Sequence, residues 1–118
     1  MRVVNCTRNQ ILVDTGGVAA SRAARLRGLL GRSLGTGEGL LLVGTQAIHT
    51  FGMRVPLDVL FLDARGRVVH LIHALQPFRV SPFVKHAAMV LELPPGVLCE
   101  SETEMGDSIF IVLCGDAE

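Results

Sequence analysis

The chain has 118 residues, of which 49% are hydrophobic and 19% are charged, a composition that excludes intrinsic disorder and suits one folded domain. Its 11 basic and 11 acidic residues balance, whereas proteins that hold nucleic acid through phosphates usually carry a basic excess, so we expect no nucleic-acid partner. No apolar run approaches the roughly 20 residues that span a bilayer, and residues 1–7 contain no signal-peptide apolar segment. We therefore expect no membrane association and a cytoplasmic location.

The first third of the chain predicts two short strands followed by a helix. Strands are expected at 2–7 and 11–14, with a turn at 8–9, and the glycine-containing run 14–17 then breaks the chain. From Ala19 to Leu30 apolar residues recur at steps of four, three and four, which is the period of a helix. Gly31 follows where helices commonly end in a left-handed residue. We expect this to be the principal helix.

The remainder of the chain predicts short strands separated by turns. Strands are expected at 40–43, 46–53, 57–62, 67–73, 87–93 and 108–114, and a tight turn at 64–66 joins the third of these to the fourth. Residues 74–86 contain Pro77 and Pro82 and have no period, which favours a long surface loop. An acidic turn is expected at 100–104. The pattern therefore predicts about eight or nine strands, spaced as in a barrel or sandwich.

The least ordinary stretch runs from His49 to Asp63. Its second half, Leu57 to Leu62, is apolar on both strand faces apart from Asp58, which predicts a strand covered on both sides. A carboxylate buried there needs a partner. Upstream, His49, Phe51 and Met53 lie two residues apart and would share one face of a strand. We expect Phe51 and Met53 to belong to the core.

Four ordered blocks of the sequence resemble the family catalogued as domain of unknown function 192. They are the run from Arg25 to Arg32, the run from Phe51 to Asp63, the run from Val90 to Gly96, and the pair Gly106-Asp107. The resemblance implies a mainly β, barrel-like domain with one helix packed against it. It implies no established reaction, substrate or cofactor.

Three charged residues interrupt apolar elements, namely Arg25, Asp58 and Glu92. We interpret them first as a structural ion pair, because the planar fork of an arginine can bond a carboxylate through two hydrogen bonds. In a second interpretation Arg25 or Arg54 receives an anionic group in a pocket. A catalytic pair of carboxylates is the third.

Metal and cofactor signals are weak. His70 and His73 would face opposite sides of a strand, and Cys6, Cys99 and Cys114 form no CxxC pair and are expected to be buried small side chains. Neither a nucleophile motif nor a phosphate-binding loop is present. We expect no catalytic residue, metal or cofactor.

Together these observations predict one domain over 1–118, mainly β (α+β at most), with one helix packed on a barrel-like sheet. We expect a non-enzymatic accessory domain that binds a small molecule or a protein segment and is a monomer or weak dimer. The candidate binding residues are Arg25, His49, Met53, Arg54 and Asp58. The alternatives are a hydrolase-like enzyme that uses Asp58 or Glu92 as acid or base, and a purely structural accessory domain.

Overall fold

Eight strands and one short helix form the regular structure of residues 1–19 and 34–113, the part of the chain that this computed structural model describes. The strands are β1 (Arg2–Asn5), β2 (Gln10–Val13), β3 (Thr15–Ala19), β4 (Glu38–Val43), β5 (Leu57–Leu62), β6 (Val68–Leu75), β7 (Met89–Leu93) and β8 (Ile109–Val112). The helix, α1 (Val97–Glu100), lies between β7 and β8. The predicted principal helix falls outside these residues, except for its first residue, Ala19, which ends β3.

The strands form two sheets. One has the order β2-β1-β8, with all neighbours antiparallel. The other has the order β3-β4-β7-β5-β6, in which β3 and β4 are parallel and the other pairs are antiparallel. The predicted mainly β class is confirmed, although the strands pair into two sheets and not into one closed barrel. No helix within the described ranges is long and apolar enough to cross a membrane.

The apolar core has two layers, one on each face of the five-stranded sheet. The first layer lies between the sheets and joins Val3 and Val13 to Leu60 and Leu62. The second layer covers the opposite face, where Leu57, Val59 and Phe61 of β5 pack with residues of the loops 44–56 and 76–88, namely Ile48, Met53 and Ala87. Every residue of β5 is buried, which confirms the prediction of a strand covered on both sides.

Residues 46–53 were predicted as a strand, and this prediction is wrong. The only strand-like pairing described there is a single bridge between His49 and Val80. The chain turns instead, because the Met53 amide bonds the Thr50 carbonyl at 3.1 Å and Gly52 has a φ of 89°. The turn removes the shared strand face that the spacing of His49, Phe51 and Met53 suggested.

The glycine-containing run 14–17 was predicted as a break, whereas its last three residues begin β3. Gly16 pairs with Gly39 of β4, and a Cβ added at Gly16 would collide with the Gly39 carbonyl oxygen. The glycines therefore permit a close approach between two backbones, a role that a sequence pattern cannot distinguish from a turn.

The predicted hairpin between β5 and β6 is confirmed, and the loop predicted at 74–86 is confirmed from residue 76, because Ala74 and Leu75 belong to β6. Gly66 has a φ of 85° in the hairpin turn, and its amide bonds the Asp63 carbonyl at 3.0 Å. Residues 76–88 contain neither a helix nor a strand.

The hairpin turn also contacts β8, so we expect Gly66→Ala to destabilise the fold more than Gly44→Ala. Both glycines have positive φ, at 85° and 72°, and this strain alone costs an alanine about 1 kcal/mol. A Cβ at Gly66 would lie 2.6 Å from the Ile109 carbonyl oxygen, whereas at Gly44 it would meet nothing within 4 Å. Urea unfolding should show a loss of about 1 kcal/mol for Gly44→Ala and at least about twice that for Gly66→Ala. Equal losses would contradict the contact.

Candidate functional site

Asp58 is buried within β5, and backbone amides satisfy its carboxylate. Oδ1 accepts the Ala74 N–H at 2.8 Å, and Oδ2 accepts the N–H groups of Gly96 and Leu98 at 3.0 and 2.9 Å. Its side chain thus ties the end of β6 to the start of α1. The partner predicted for Asp58 was Arg25, which lies outside the described residues. The buried carboxylate therefore has the hydrogen-bond partners it requires, but they are backbone amides, which the sequence did not reveal.

The Asp58 contacts hold a bulge in β6. The register of β5 and β6 shifts between Leu57–Leu75 and Val59–Ile72, which leaves one extra residue on β6. Ala74, at this bulge, has a φ of 52°, a conformation that residues other than glycine rarely adopt. Bulges re-aim neighbouring side chains and are common beside functional sites.

A groove of about 510 Å³ opens next to this bulge. It is lined by Arg8, His73, Leu98, Cys99, Glu102, Thr103 and Glu104. Cys99 is an exposed free thiol, as is Cys6, so the prediction that these two cysteines are buried is wrong, while Cys114 lies outside the described residues. No three His, Cys, Asp or Glu side chains among the described residues are grouped so that they could hold a metal ion.

A second buried carboxylate, Asp107, organises the wall of the groove. Its Oδ2 accepts hydrogen bonds from Asn5 Nδ2 and Arg8 Nε, each at 3.0 Å, and from the Glu104 amide at 2.9 Å. Burial acts to raise the pKa of Asp107, but the hydrogen bonds from Arg8, Asn5 and the Glu104 amide outweigh it and hold that pKa below its usual range. The sequence placed Asp107 in a family block but gave it no role, because its side-chain partners, Asn5 and Arg8, are about 100 positions away.

Asp58 and Glu92 do not form a pair of carboxylates. Val59 lies directly opposite Glu92 in the register of β5 and β7, so these two side chains share the face of the second layer. Asp58 precedes Val59 and points to the other face, towards Leu98. Both carboxylates are buried, on opposite sides of one sheet.

The described members of the predicted binding set lie in different parts of the fold. Met53 is buried in the second layer, while Asp58 faces the first. Arg54 is exposed, His49 is partly exposed, and Arg25 lies outside the described residues. Of the four predicted binding residues that are described, His49 and Arg54 reach the surface, and Arg25 stays a prediction.

His49 belongs to an exposed cluster that we name the aromatic surface, formed by His49, Phe51, Phe78 and Val80. The rings of His49 and Phe51 stack with centroids 5.1 Å apart, and those of Phe51 and Phe78 lie 6.4 Å apart. Val80 faces His49 across their single bridge. Phe51 is 47% exposed and Phe78 and Val80 are each 65% exposed. The prediction that Phe51 belongs to the core is wrong, because the turn at 50–53 directs it outward.

Thr50 fixes the two loops that carry the aromatic surface. Its buried hydroxyl donates to the Gln76 carbonyl at 2.7 Å and accepts the Arg79 amide at 2.8 Å. Its backbone N–H donates to the Arg79 carbonyl at 2.9 Å, and its carbonyl accepts the Phe78 amide at 3.1 Å. These bonds hold Phe78 at a φ of 61°, which is a rare conformation for a bulky residue. The sequence offered one signal for this site, the aperiodic loop 74–86.

These elements define a small two-sheet β domain with buried carboxylates and an exposed aromatic surface. The chain belongs to the DUF192 family, described as "Uncharacterized ACR", whose model matches residues 4–111. This confirms the resemblance seen in the sequence. No curated protein matches the chain.

Two solved structures are similar to this fold. A protein of unknown function from Novosphingobium aromaticivorans DSM 12444 has a TM-score of 0.77 at 21% identity, covering 93% of this chain and 82% of that one. A protein provisionally described as a transcription regulator from Sinorhizobium meliloti 1021 has a TM-score of 0.73 at 23% identity, covering 92% and 89%. At these identities the likeness establishes the fold alone.

Replacing the Asp58 carboxylate should cost much of the stability. Asp58→Asn leaves one oxygen and introduces an NH2 group, so at least one of the three amides loses its acceptor. We expect a loss of about 2–4 kcal/mol in urea unfolding, because each hydrogen bond to a buried charged group contributes about 1.5–3 kcal/mol. Asp63→Asn is the matched control, since both amides that Asp63 binds, from Arg65 and Arg67, go to Oδ1. Similar losses in both variants would contradict the role of Asp58 in joining β6 to α1.

The lowered pKa of Asp107 predicts acid sensitivity. In the unfolded chain the pKa of an aspartate is about 3.9. Because the pKa of Asp107 is lower in the native state, that state binds fewer protons at Asp107 than the unfolded state does as the pH falls towards and below this value. The stabilisation is fully present above about pH 4 and is lost as the pH falls through the lowered folded pKa. In urea unfolding, the free energy of unfolding of the parent should exceed that of Asp107→Asn by less and less below about pH 4. A difference between the two free energies that is constant with pH would rule this out.

Proposed function

We propose that this chain is a non-enzymatic protein-binding domain that docks a segment of another protein on the aromatic surface. The observation that carries the proposal is Phe78, a bulky residue that is 65% exposed although its backbone has a φ of 61°. A sparsely populated backbone conformation costs about 1–3 kcal/mol and persists only where the surroundings impose it. Here that strain leaves the ring in solvent, where it contributes little to the core but is available to a partner.

The fixed geometry of the surface supports recognition of a specific partner. Thr50 joins the two loops through four hydrogen bonds between 2.7 and 3.1 Å and a longer one at 3.3 Å. A surface ordered in advance loses less conformational entropy on binding, and this is a main source of affinity. Exposed aromatic residues are also the type of side chain that interface cores are enriched in.

The same geometry weighs against the hydrolase alternative. Asp58 and Glu92 are 1% and 0% exposed and lie on opposite faces of the sheet. The oxygens of Asp58 already accept hydrogen bonds from three backbone amides, which gives that carboxylate a structural role. A purely structural domain, in turn, would leave the exposed, strained Phe78 unexplained. The proposal requires neither a metal nor a cofactor.

We also propose a cytoplasmic location. Cys6 and Cys99 are free and exposed, and exposed thiols persist most readily in a reducing compartment.

A library of random peptides displayed on phage tests the docking function. Peptides selected on the parent chain should bind Phe78→Ala and Phe51→Ala at least about tenfold more weakly, the change that a loss of about 1.4 kcal/mol at a hot spot produces. The free energy of unfolding of both variants should stay within about 0.5 kcal/mol of that of the parent, because neither ring is buried. The matched control is Phe110→Ala, a ring on the three-stranded sheet that is 60% exposed. If the selected peptides bind all these variants as tightly as the parent, the proposal fails.

A further inference from the structure

We infer, on the basis of the proposed docking function, that the segment bound at the aromatic surface is acidic as well as apolar. The two loops that build the surface, 44–56 and 76–88, contain three permanent cations and two histidines but no aspartate or glutamate. The cations are Arg54, Arg79 and Lys85, and the histidines are His49 and His86. The chain as a whole has equal numbers of acidic and basic residues, so this separation of charge is local.

Among the described residues, no ion pair neutralises Arg54, Arg79 or Lys85. In the described part of the chain both ion pairs belong to Arg8, which binds Glu104 and Asp107. Arg54, Arg79 and Lys85 are all exposed and take part in neither pair. Arg79 lies between Phe78 and Val80, so a cation is placed within the aromatic surface. Its backbone is fixed by Thr50, and its guanidinium extends from a rigid position.

Acidic side chains are concentrated elsewhere. Exposed Glu100, Glu102 and Glu104 follow one another along α1 and the turn after it, next to the groove of His73. These described carboxylates lie outside loops 44–56 and 76–88, and the exposed cations of those loops attract an anionic partner. Arginine binds carboxylates through two hydrogen bonds, which adds orientation to the attraction.

The geometry favours a peptide over the other anionic partners. A bilayer surface presents no fixed shape, so binding to it would not require Phe78 to be held at a φ of 61° by Thr50. A single-stranded nucleic acid would need free ring faces for its bases, whereas His49 and Phe51 stack on each other at 5.1 Å. An acidic peptide with aromatic or aliphatic anchors uses both the rings and the cations.

The composition of the selected peptides tests this inference separately from the docking function. Among displayed peptides whose binding to the full chain depends on Phe78, aspartate and glutamate should be enriched over the starting library. Changing all Glu to Gln and all Asp to Asn in a selected synthetic peptide should weaken binding by about fivefold when several ion pairs are lost, since one exposed ion pair contributes at most about that factor. Binding of the acidic form should also weaken as salt is raised.

Charge reversal on the protein completes the test. Arg79→Glu and Arg54→Glu should each weaken the acidic peptide about fivefold or more and leave its amide form nearly unchanged. Arg65→Glu, in the exposed turn between β5 and β6, should bind both forms like the parent. Circular dichroism melts confirm that each variant is folded.

Three results would overturn the inference. If Phe78-dependent peptides are no more acidic than the library, or their amide forms bind equally well, the partner is apolar only, and the docking function stands. If phosphatidylglycerol vesicles or a single-stranded oligonucleotide bind in a Phe78-dependent manner while no peptide does, the surface serves one of those partners. If nothing depends on Phe78, both proposals fail.

Discussion

Burial of β5 on both faces is the constraint on which the rest of this structure depends. A strand with no solvent-facing side must satisfy any polar group within the fold. Asp58 is such a group, and it is stabilised by three amides from the bulge of β6 and the start of α1. The central strand therefore fixes two connecting segments through one carboxylate, and the groove of His73 and Cys99 lies between those segments.

The aromatic surface belongs to the loops that cover the second face of β5. No strand covers it among the described residues; loop side chains such as Ile48, Met53 and Ala87 do. Loops that cover a core need their own hydrogen bonds, and Thr50 supplies them by binding the facing loop in place of a strand ladder. The inward side of these loops buries Met53, the turn at 50–53 places Phe51 outside, and the facing loop presents Phe78 beside it. Core packing and the exposed aromatic surface thus follow from one loop pair.

The sequence predicted what local patterns determine. A continuous apolar run predicted β5, a glycine after Ala64-Arg65 predicted the hairpin turn, and two prolines predicted the loop after β6. It did not predict β3, because Gly16 and Gly39 act through a contact between distant backbones. It assigned His49 to a strand, because a spacing of two residues cannot reveal that Thr50 turns the chain. We predicted an arginine partner for Asp58, because hydrogen bonds from backbone amides have no signature in a sequence.

If a partner binds where Phe51 and Phe78 meet, chemical-shift mapping will locate it: 15N-labelled protein is titrated with a peptide selected on the full chain, and the amide resonances are followed. We predict the largest shifts at the amides of Thr50, Phe51, Phe78, Arg79 and Val80, with those of His73, Cys99 and Thr103 unchanged. Shifts confined to His73, Cys99 and Thr103 would contradict it and would place the binding site in the groove that Asp58 and Asp107 support.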